Sequence, residues 1–293
     1  MKKVEQVLLF LTLTFLPTKF GYNFWPDFSL VYSLKVNYFS PAIYFWDILV
    51  LLLICIFIFR QRRVNRLALN LWMLFLFTSL ISLIPYVDSP INLGPGLVRI
   101  QQYLTCGIFG IYLASTNLLK YKAVFFWLLC LSSLWTVVAI LLSNYQIFMA
   151  DQISLIRRIE LSEIAVKLWL SSPIFGIGVN NFILYGVNDL VSGPTRFLQP
   201  VYNIFLLTAA ETGIVGLLGF AGFIGVPLFG IWKLRKKSIE AKLLLIVWAT
   251  ILLLGFLDHY FLTIPQGIRT LFLIWGLSIC VLEYLGAKPK EDL

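Results

Sequence analysis

The chain has 293 residues, of which 60% are hydrophobic and only 13% are charged, and its net charge is +9. A water-soluble fold of this composition would expose far too much apolar surface, so we expect an integral membrane protein. The basic residues fall in short clusters between apolar segments, which favours membrane orientation over nucleic-acid binding. The cysteines lie inside apolar runs without CxxC spacing, so we expect neither a disulfide nor a metal site, and no cofactor.

In chain order, the apolar windows predict about eight transmembrane helices in an all-α polytopic fold. The first resembles the core of a signal peptide but lacks a cleavage site, so we interpret it as an uncleaved helix that reaches about residue 20 and precedes a non-helical outer loop at 21–40. Residues 60–66 carry four arginines and read as a cytoplasmic loop. The remaining predicted spans cover about 41–59, 67–86, 98–119, 123–142, 214–232, 241–260 and 267–285.

One segment of the chain, residues 143–200, contains no apolar window of twenty residues and is predicted to be a long extracytoplasmic loop between spans five and six. The chain thus divides into 1–142 with five spans, the loop 143–200, and 201–293 with a short outer helix and three spans, all within a single membrane domain. Fifteen of the 23 lysines and arginines fall on the inner side of this topology, which places both termini in the cytoplasm.

Arginine is enriched among the eight basic residues on the outer side, and its planar fork suits bidentate binding of phosphate. Five acidic residues lie on the same side, and ion pairing with them is the structural alternative: Asp151, Glu160, Glu163, Asp189 and Asp258. The candidate phosphate-binding arginines are Arg99, Arg157, Arg158, Arg196 and Arg269.

Within the long loop, apolar residues recur at helical spacing over about 153–170 and predict an amphipathic helix on the outer membrane surface, with Glu163 and Lys167 paired four residues apart. The turn Gly176-Ile-Gly178 that follows is a weak phosphate-loop signal, and a packing turn is the commoner explanation. Residues 202–233 would extend about 46 Å as one helix, against an apolar core of about 30 Å. We therefore expect a break at Thr212-Gly213, just after the acidic Glu211.

Two short motifs resemble the core of the O-antigen ligase and O-antigen polymerase family. They are the segment from Ser172 to Phe182, and Tyr202-Asn203 followed by Gly213 and Gly216; the likeness covers about 157–216, a fifth of the chain. The family consists of bacterial multi-pass inner-membrane enzymes that transfer glycans from an undecaprenyl-pyrophosphate carrier to an acceptor. The resemblance implies a glycan donor of that kind, a sugar, lipid or protein acceptor, and a role for the arginines, Arg196 and Arg158 foremost, in stabilising the pyrophosphate leaving group.

The family motif begins with histidine, whereas this chain has Tyr202. Tyrosine, with a reference pKa of about 10, is a poor base at neutral pH. Three interpretations are open. His259, beside Asp258 and about 27 Å along its helix from Ala241, supplies the base from the outer mouth of span seven; or Tyr202 only orients the acceptor, with Asn203 as a polar contact; or the chain is an inactive assembly subunit. A transporter or flippase of lipid-linked glycans is the alternative of a different class.

Overall fold

The computed structural model describes residues 3–116, 130, 134, 152–192 and 198–286, and helices dominate this part of the chain. Span five of the predicted topology, at 123–142, lies almost entirely outside the described residues, as does Arg196. The helices of the described ranges are α1 Lys3–Phe15, α2 Phe45–Phe59, α3 Arg66–Ile81, α4 Pro90–Ser115, α5 Gln152–Ser171, α6 Phe182–Ser192, α7 Ile204–Leu234, α8 Ile239–Leu257, α9 Tyr260–Thr263 and α10 Pro265–Gly286.

Four segments of the described ranges are long and apolar enough to cross a membrane: Arg66–Tyr86, which is α3 continued through a 3-10 turn at Ile84–Tyr86, and the helices α7, α8 and α10. They coincide with the predicted spans three, six, seven and eight, so the chain is a helical membrane protein. The predicted spans one, two and four are helices as well, but α1 has only 13 residues, α2 only 15, and α4 falls short of the same apolar criterion.

The predicted non-helical stretch at 21–40 is built from short antiparallel ladders. Strand β1 (Gly21–Asn23) pairs with β4 (Ala42–Tyr44), and β2 (Leu30–Val31) pairs with β3 (Leu34–Lys35). Buried residues of this stretch, such as Phe39, join a hydrophobic cluster with α5, α6 and the start of α7. This end of the bundle is therefore capped by its own small core.

Helix α7 breaks at Gly213, whose backbone angles (φ 64°, ψ −165°) lie outside the helical region, so the predicted interruption at Thr212-Gly213 is confirmed. The piece of α7 before the break is anchored to the chain after α5, because Ile177 N–H donates to Ala210 C=O at 3.0 Å. Helix α5 ends at Ser171, as expected, but Lys167 pairs with Asp189 of α6 at 2.7 Å. The predicted Glu163–Lys167 pairing is thus wrong, because the neighbouring helix offers a carboxylate.

The main core is centred on α10, which is buried along most of its length. Gly110 of α4 and Gly276 of α10 let these helices touch, since a Cβ added at Gly276 would lie 2.4 Å from the carbonyl oxygen of Gly110. Trp275 stacks on Phe223 of α7 at 4.7 Å and donates to its carbonyl oxygen at 3.0 Å. Small residues at a helix contact and interhelical hydrogen bonds are the usual means of packing membrane helices.

At the opposite end of the bundle from the β-ladders, the carboxylate of Glu5 is fully buried. Two arginines of the 60–66 loop, Arg60 and Arg62, pair with it, and the Tyr112 hydroxyl donates to it at 2.9 Å. Part of the arginine cluster therefore binds an acidic residue of α1, which its sequence pattern did not indicate.

Candidate functional site

Two of the motif glycines shape the N-terminal part of α7. Gly176 and Gly213 both have positive φ, of 72° and 64°. A Cβ at Gly176 would lie 2.3 Å from backbone atoms of Glu211, and one at Gly213 would lie 2.3 Å from the carbonyl oxygen of Ile174. Both positions combine close backbone approach with a conformation that L side chains rarely adopt, so they require glycine. The packing explanation for the Gly176 turn is thus the one that the geometry favours.

His259 lies in the turn between α8 and α9, where only 4% of its surface is exposed. Its Nδ1 lies 2.6 Å from the Thr263 hydroxyl oxygen, which itself lies 3.0 Å from the His259 carbonyl oxygen. The single hydroxyl proton is donated to the carbonyl, so Thr263 accepts from Nδ1–H. The Asp258 carboxylate, 3.8 Å from Nδ1, favours the same tautomer. The basic lone pair of the imidazole therefore resides on Nε2.

Tyr202 and Arg158 lie against this histidine. The rings of Tyr202 and His259 stack with centroids 5.5 Å apart, and Tyr38 meets His259 edge-on at 5.8 Å. The Arg158 guanidinium lies over the Tyr202 ring, 4.1 Å from its centroid, and donates to the carbonyl oxygen of Leu257 at 2.6 Å. The motif position, the histidine and one predicted phosphate-binding arginine thus form one group, which we call the His259 cluster: Tyr38, Arg158, Tyr202, Asp258, His259 and Thr263.

Burial, opposed by the charge of Asp258 and reinforced by the positive charges of Arg99 and Arg158, lowers the pKa of His259 to about 4. The imidazole is therefore neutral at pH 7. Burial, reinforced by the charge of Asp258, raises the pKa of Tyr38 to about 12, so its phenol stays protonated. The cluster presents a neutral nitrogen base between two tyrosine rings.

Asn203, the second motif residue, caps α7. Its Oδ1 accepts from the backbone N–H groups of Phe205 and Leu206, both at 2.9 Å, while its Nδ2 lies 3.4 Å from the carbonyl oxygen of Phe256. This cap explains an asparagine at the start of an apolar helix. It also fixes α7 against the end of α8, so Tyr202 is held beside His259.

Arg99 lies in a deeper polar group centred on Asn180. Its guanidinium, 2% exposed, donates to Gln102 and to the side-chain oxygen of Asn180, both at 2.9 Å. The Asn180 amide in turn donates to the carbonyl oxygens of Tyr38 and Pro95, at 2.9 and 2.8 Å. Arg99 therefore positions the Tyr38 segment through Asn180. Buried Glu211 positions the start of α6, since its carboxylate accepts from the backbone N–H of Phe182 at 3.3 Å.

The other predicted residues are placed elsewhere or support the turns. Arg269 is 1% exposed, donates to the carbonyl oxygens of Leu16 and Thr18 at 3.1 and 2.8 Å, and lies over the rings of Tyr44 and Trp46. It therefore joins α10 to the end of α1 rather than facing His259. Half-buried Arg157 neighbours Arg158 on α5, and Gly178 adopts φ 90° in the turn before Asn180.

Three residues of these groups were not singled out from the sequence: Tyr38, Thr263 and Asn180. Of the three, Thr263 could most readily have been found from the sequence, because it lies one helical turn after His259.

In the described part of the chain, no three His, Cys, Asp or Glu residues are grouped so as to hold a metal ion. No protein-family model, curated protein or solved structure matches the chain.

Proposed function

We propose that this chain transfers a glycan from an undecaprenyl-pyrophosphate carrier to an acceptor hydroxyl at the outer face of a bacterial cytoplasmic membrane, as O-antigen ligases and polymerases do. In this proposal eight spans place both termini in the cytoplasm and residues 143–200 outside. One observation carries it: Tyr202, at the motif position where the resembled family has histidine, stacks on the His259 imidazole at 5.5 Å. In this proposal His259 supplies, from beside the motif, the base that the motif itself lacks.

The chemistry follows from the tautomer of His259. Nε2 accepts the proton of the acceptor hydroxyl while the oxygen forms a bond to the anomeric carbon of the donor sugar, and the bond from that carbon to the pyrophosphate oxygen breaks. Arg158 moves from the Tyr202 ring to the leaving pyrophosphate and stabilises its negative charge. A base whose pKa is about 4 is a weak one, but a bound pyrophosphate raises that pKa by its negative charge.

A non-catalytic assembly subunit is the second candidate, and the burial of His259 favours it. A histidine that is 4% exposed and bonded through Nδ1 to Thr263 also fits a purely structural role. The two functions differ in what happens when the imidazole is removed without unfolding the protein.

The test is a transfer assay with purified protein in proteoliposomes, a lipid-linked oligosaccharide donor and an acceptor glycan. We expect His259→Gln to lower the transfer rate by about 10²–10⁴-fold, and Tyr202→His to restore part of the rate in the His259→Gln background. Full transfer by folded His259→Gln would exclude His259 as the base. Unchanged glycan attachment and chain length in cells lacking the protein would overturn the function itself, and intact transfer by Arg196→Ala would remove the role proposed for that residue.

A further inference from the structure

We propose that a cavity of about 510 Å³ beside the His259 cluster binds a phosphate group carried on a polar, sugar-sized ligand. The cavity opens between the loop after α1, the β3 segment and the start of α10. Its wall includes two lysines, an amide, a phenol and four aliphatic side chains: Lys19, Lys35, Asn37, Tyr38, Leu34, Val36, Leu198 and Ile264. Its volume lies within the range of about 300–1,000 Å³ that is typical of small-molecule sites.

The charge of the wall selects an anion. Lys19 and Lys35 are both exposed, no carboxylate is among the described residues that line the cavity, and neither lysine has an ion-pair partner within 4 Å in the described ranges. Lys35 lies 5.1 Å from the centroid of the Trp25 ring, which holds its ammonium without neutralising it. Lysine binds phosphate as a point charge, so two lysines on one wall favour a phosphate over a neutral sugar.

The remaining wall suits the body of a phosphorylated polar molecule. The Asn37 amide both donates and accepts hydrogen bonds, as hydroxyl groups require, while Leu198 and Ile264 offer aliphatic surface. Half-buried Tyr38 is shared, because it lines the cavity and meets His259 edge-on at 5.8 Å. A ligand in the cavity therefore lies one aromatic ring away from the imidazole.

The direct test is calorimetric titration of the purified protein, in nanodiscs of neutral phosphatidylcholine, with glucose 1-phosphate and with glucose as the uncharged control. We expect saturable binding of the phosphate compound alone. The Lys19→Ala/Lys35→Ala double variant should weaken it by about tenfold or more, since two charge-assisted contacts are lost. The matched control is Lys236→Ala/Lys237→Ala, which removes two exposed lysines that do not line the cavity and should leave binding unchanged.

A second arm identifies the source of the phosphate. In nanodiscs containing phosphatidylglycerol, a cavity filled by a lipid headgroup should retain that lipid through purification, lose it in the Lys19→Ala/Lys35→Ala variant, and show weakened glucose 1-phosphate binding. A cavity for a soluble ligand should bind glucose 1-phosphate equally in both nanodiscs.

The proposal is overturned if neither glucose 1-phosphate nor phosphatidylglycerol binds through Lys19 and Lys35. That result is absent saturable binding of glucose 1-phosphate together with equal retention of phosphatidylglycerol by wild type and double variant. Because both arms measure binding without any transfer reaction, their failure leaves the proposed glycan transfer standing, and failure of the transfer assay leaves this site standing.

Discussion

Two buried polar networks lie at opposite ends of the helix bundle, and they differ in how completely their members are paired. At one end, the Glu5 carboxylate receives donors from Arg60, Arg62 and Tyr112. At the other end, His259 is hydrogen-bonded to Thr263 through Nδ1, and the Arg158 guanidinium lies over the Tyr202 ring and donates to the Leu257 carbonyl, with no carboxylate within ion-pair distance among the described residues. A saturated network stabilises the fold, whereas an unsaturated one retains hydrogen-bonding capacity for a ligand.

Breaking the saturated network gives the largest expected effect. Glu5→Leu leaves Arg60 and Arg62 without their buried partner, and removal of one member of such a pair typically costs about 3–5 kcal/mol of stability. The measurement is the thermal unfolding midpoint in detergent, which should fall markedly. Lys167→Ala is the control, because it breaks an exposed pair with Asp189 and should cost less than about 1 kcal/mol.

If the Glu5 network only stabilises the fold, Glu5→Leu should lower stability without changing the transfer reaction. Transfer activity per folded molecule should be the same for Glu5→Leu and wild type. A Glu5→Leu protein as stable as wild type would show that the saturated network contributes nothing to the fold, and the contrast between the two ends would disappear.

Sequence reasoning reached the features that depend on local pattern or length. The break at Gly213 followed from comparing 31 residues with the thickness of a bilayer. Counting along one helix placed His259 near the end of the predicted span 241–260, and in the structure α8 ends slightly earlier, at Leu257. Four of the predicted spans satisfied the same criteria in the structure. Such features are encoded within a single segment.

Pairings between distant segments were not predictable in this way. Asn180 bonds to Tyr38, 142 residues earlier in the chain, and Arg269 bonds to Leu16, 253 residues earlier. Arg269 resembled an outer phosphate ligand because the predicted topology places it at the mouth of a helix, but the folded chain brings the carbonyl oxygens of Leu16 and Thr18, just after α1, to its Nη1. Periodicity and charge counts contain no information about such partners.

The second prediction concerns pH and the unsaturated end. The folded protein binds the His259 proton only near pH 4, whereas the unfolded chain binds it near the ordinary value of 6.5, so stability is complete above 6.5 and is lost as the pH falls toward 4. The loss between pH 7 and about pH 4.5 amounts to about 2–3 kcal/mol. It is measured as the difference in unfolding midpoint between wild type and His259→Gln at both pH values, which cancels the other titrating groups. Parallel pH profiles for the two proteins would contradict the burial of a neutral imidazole.

The smallest effect is expected from replacing Tyr202, whose ring lies between Arg158 and His259. Tyr202→Leu removes the aromatic face beneath the Arg158 guanidinium and should cost about 0.5–2 kcal/mol, whereas Tyr202→Phe keeps that face and should remain close to wild type. A double-mutant cycle with Arg158→Gln isolates the contact, because only the coupling between the two residues survives the subtraction. No measurable coupling would mean that the guanidinium and the ring are adjacent without interacting.

The same cycle distinguishes the two ends of the molecule when it is repeated with inorganic pyrophosphate. If Arg158 is available to a ligand, the anion draws the guanidinium from the Tyr202 ring and the coupling decreases. The stability difference between Glu5→Leu and wild type should not respond to the anion, because Arg60 and Arg62 already face a carboxylate. An anion that alters both ends equally would act through bulk screening, and the distinction between a saturated and an unsaturated network would then have no functional meaning.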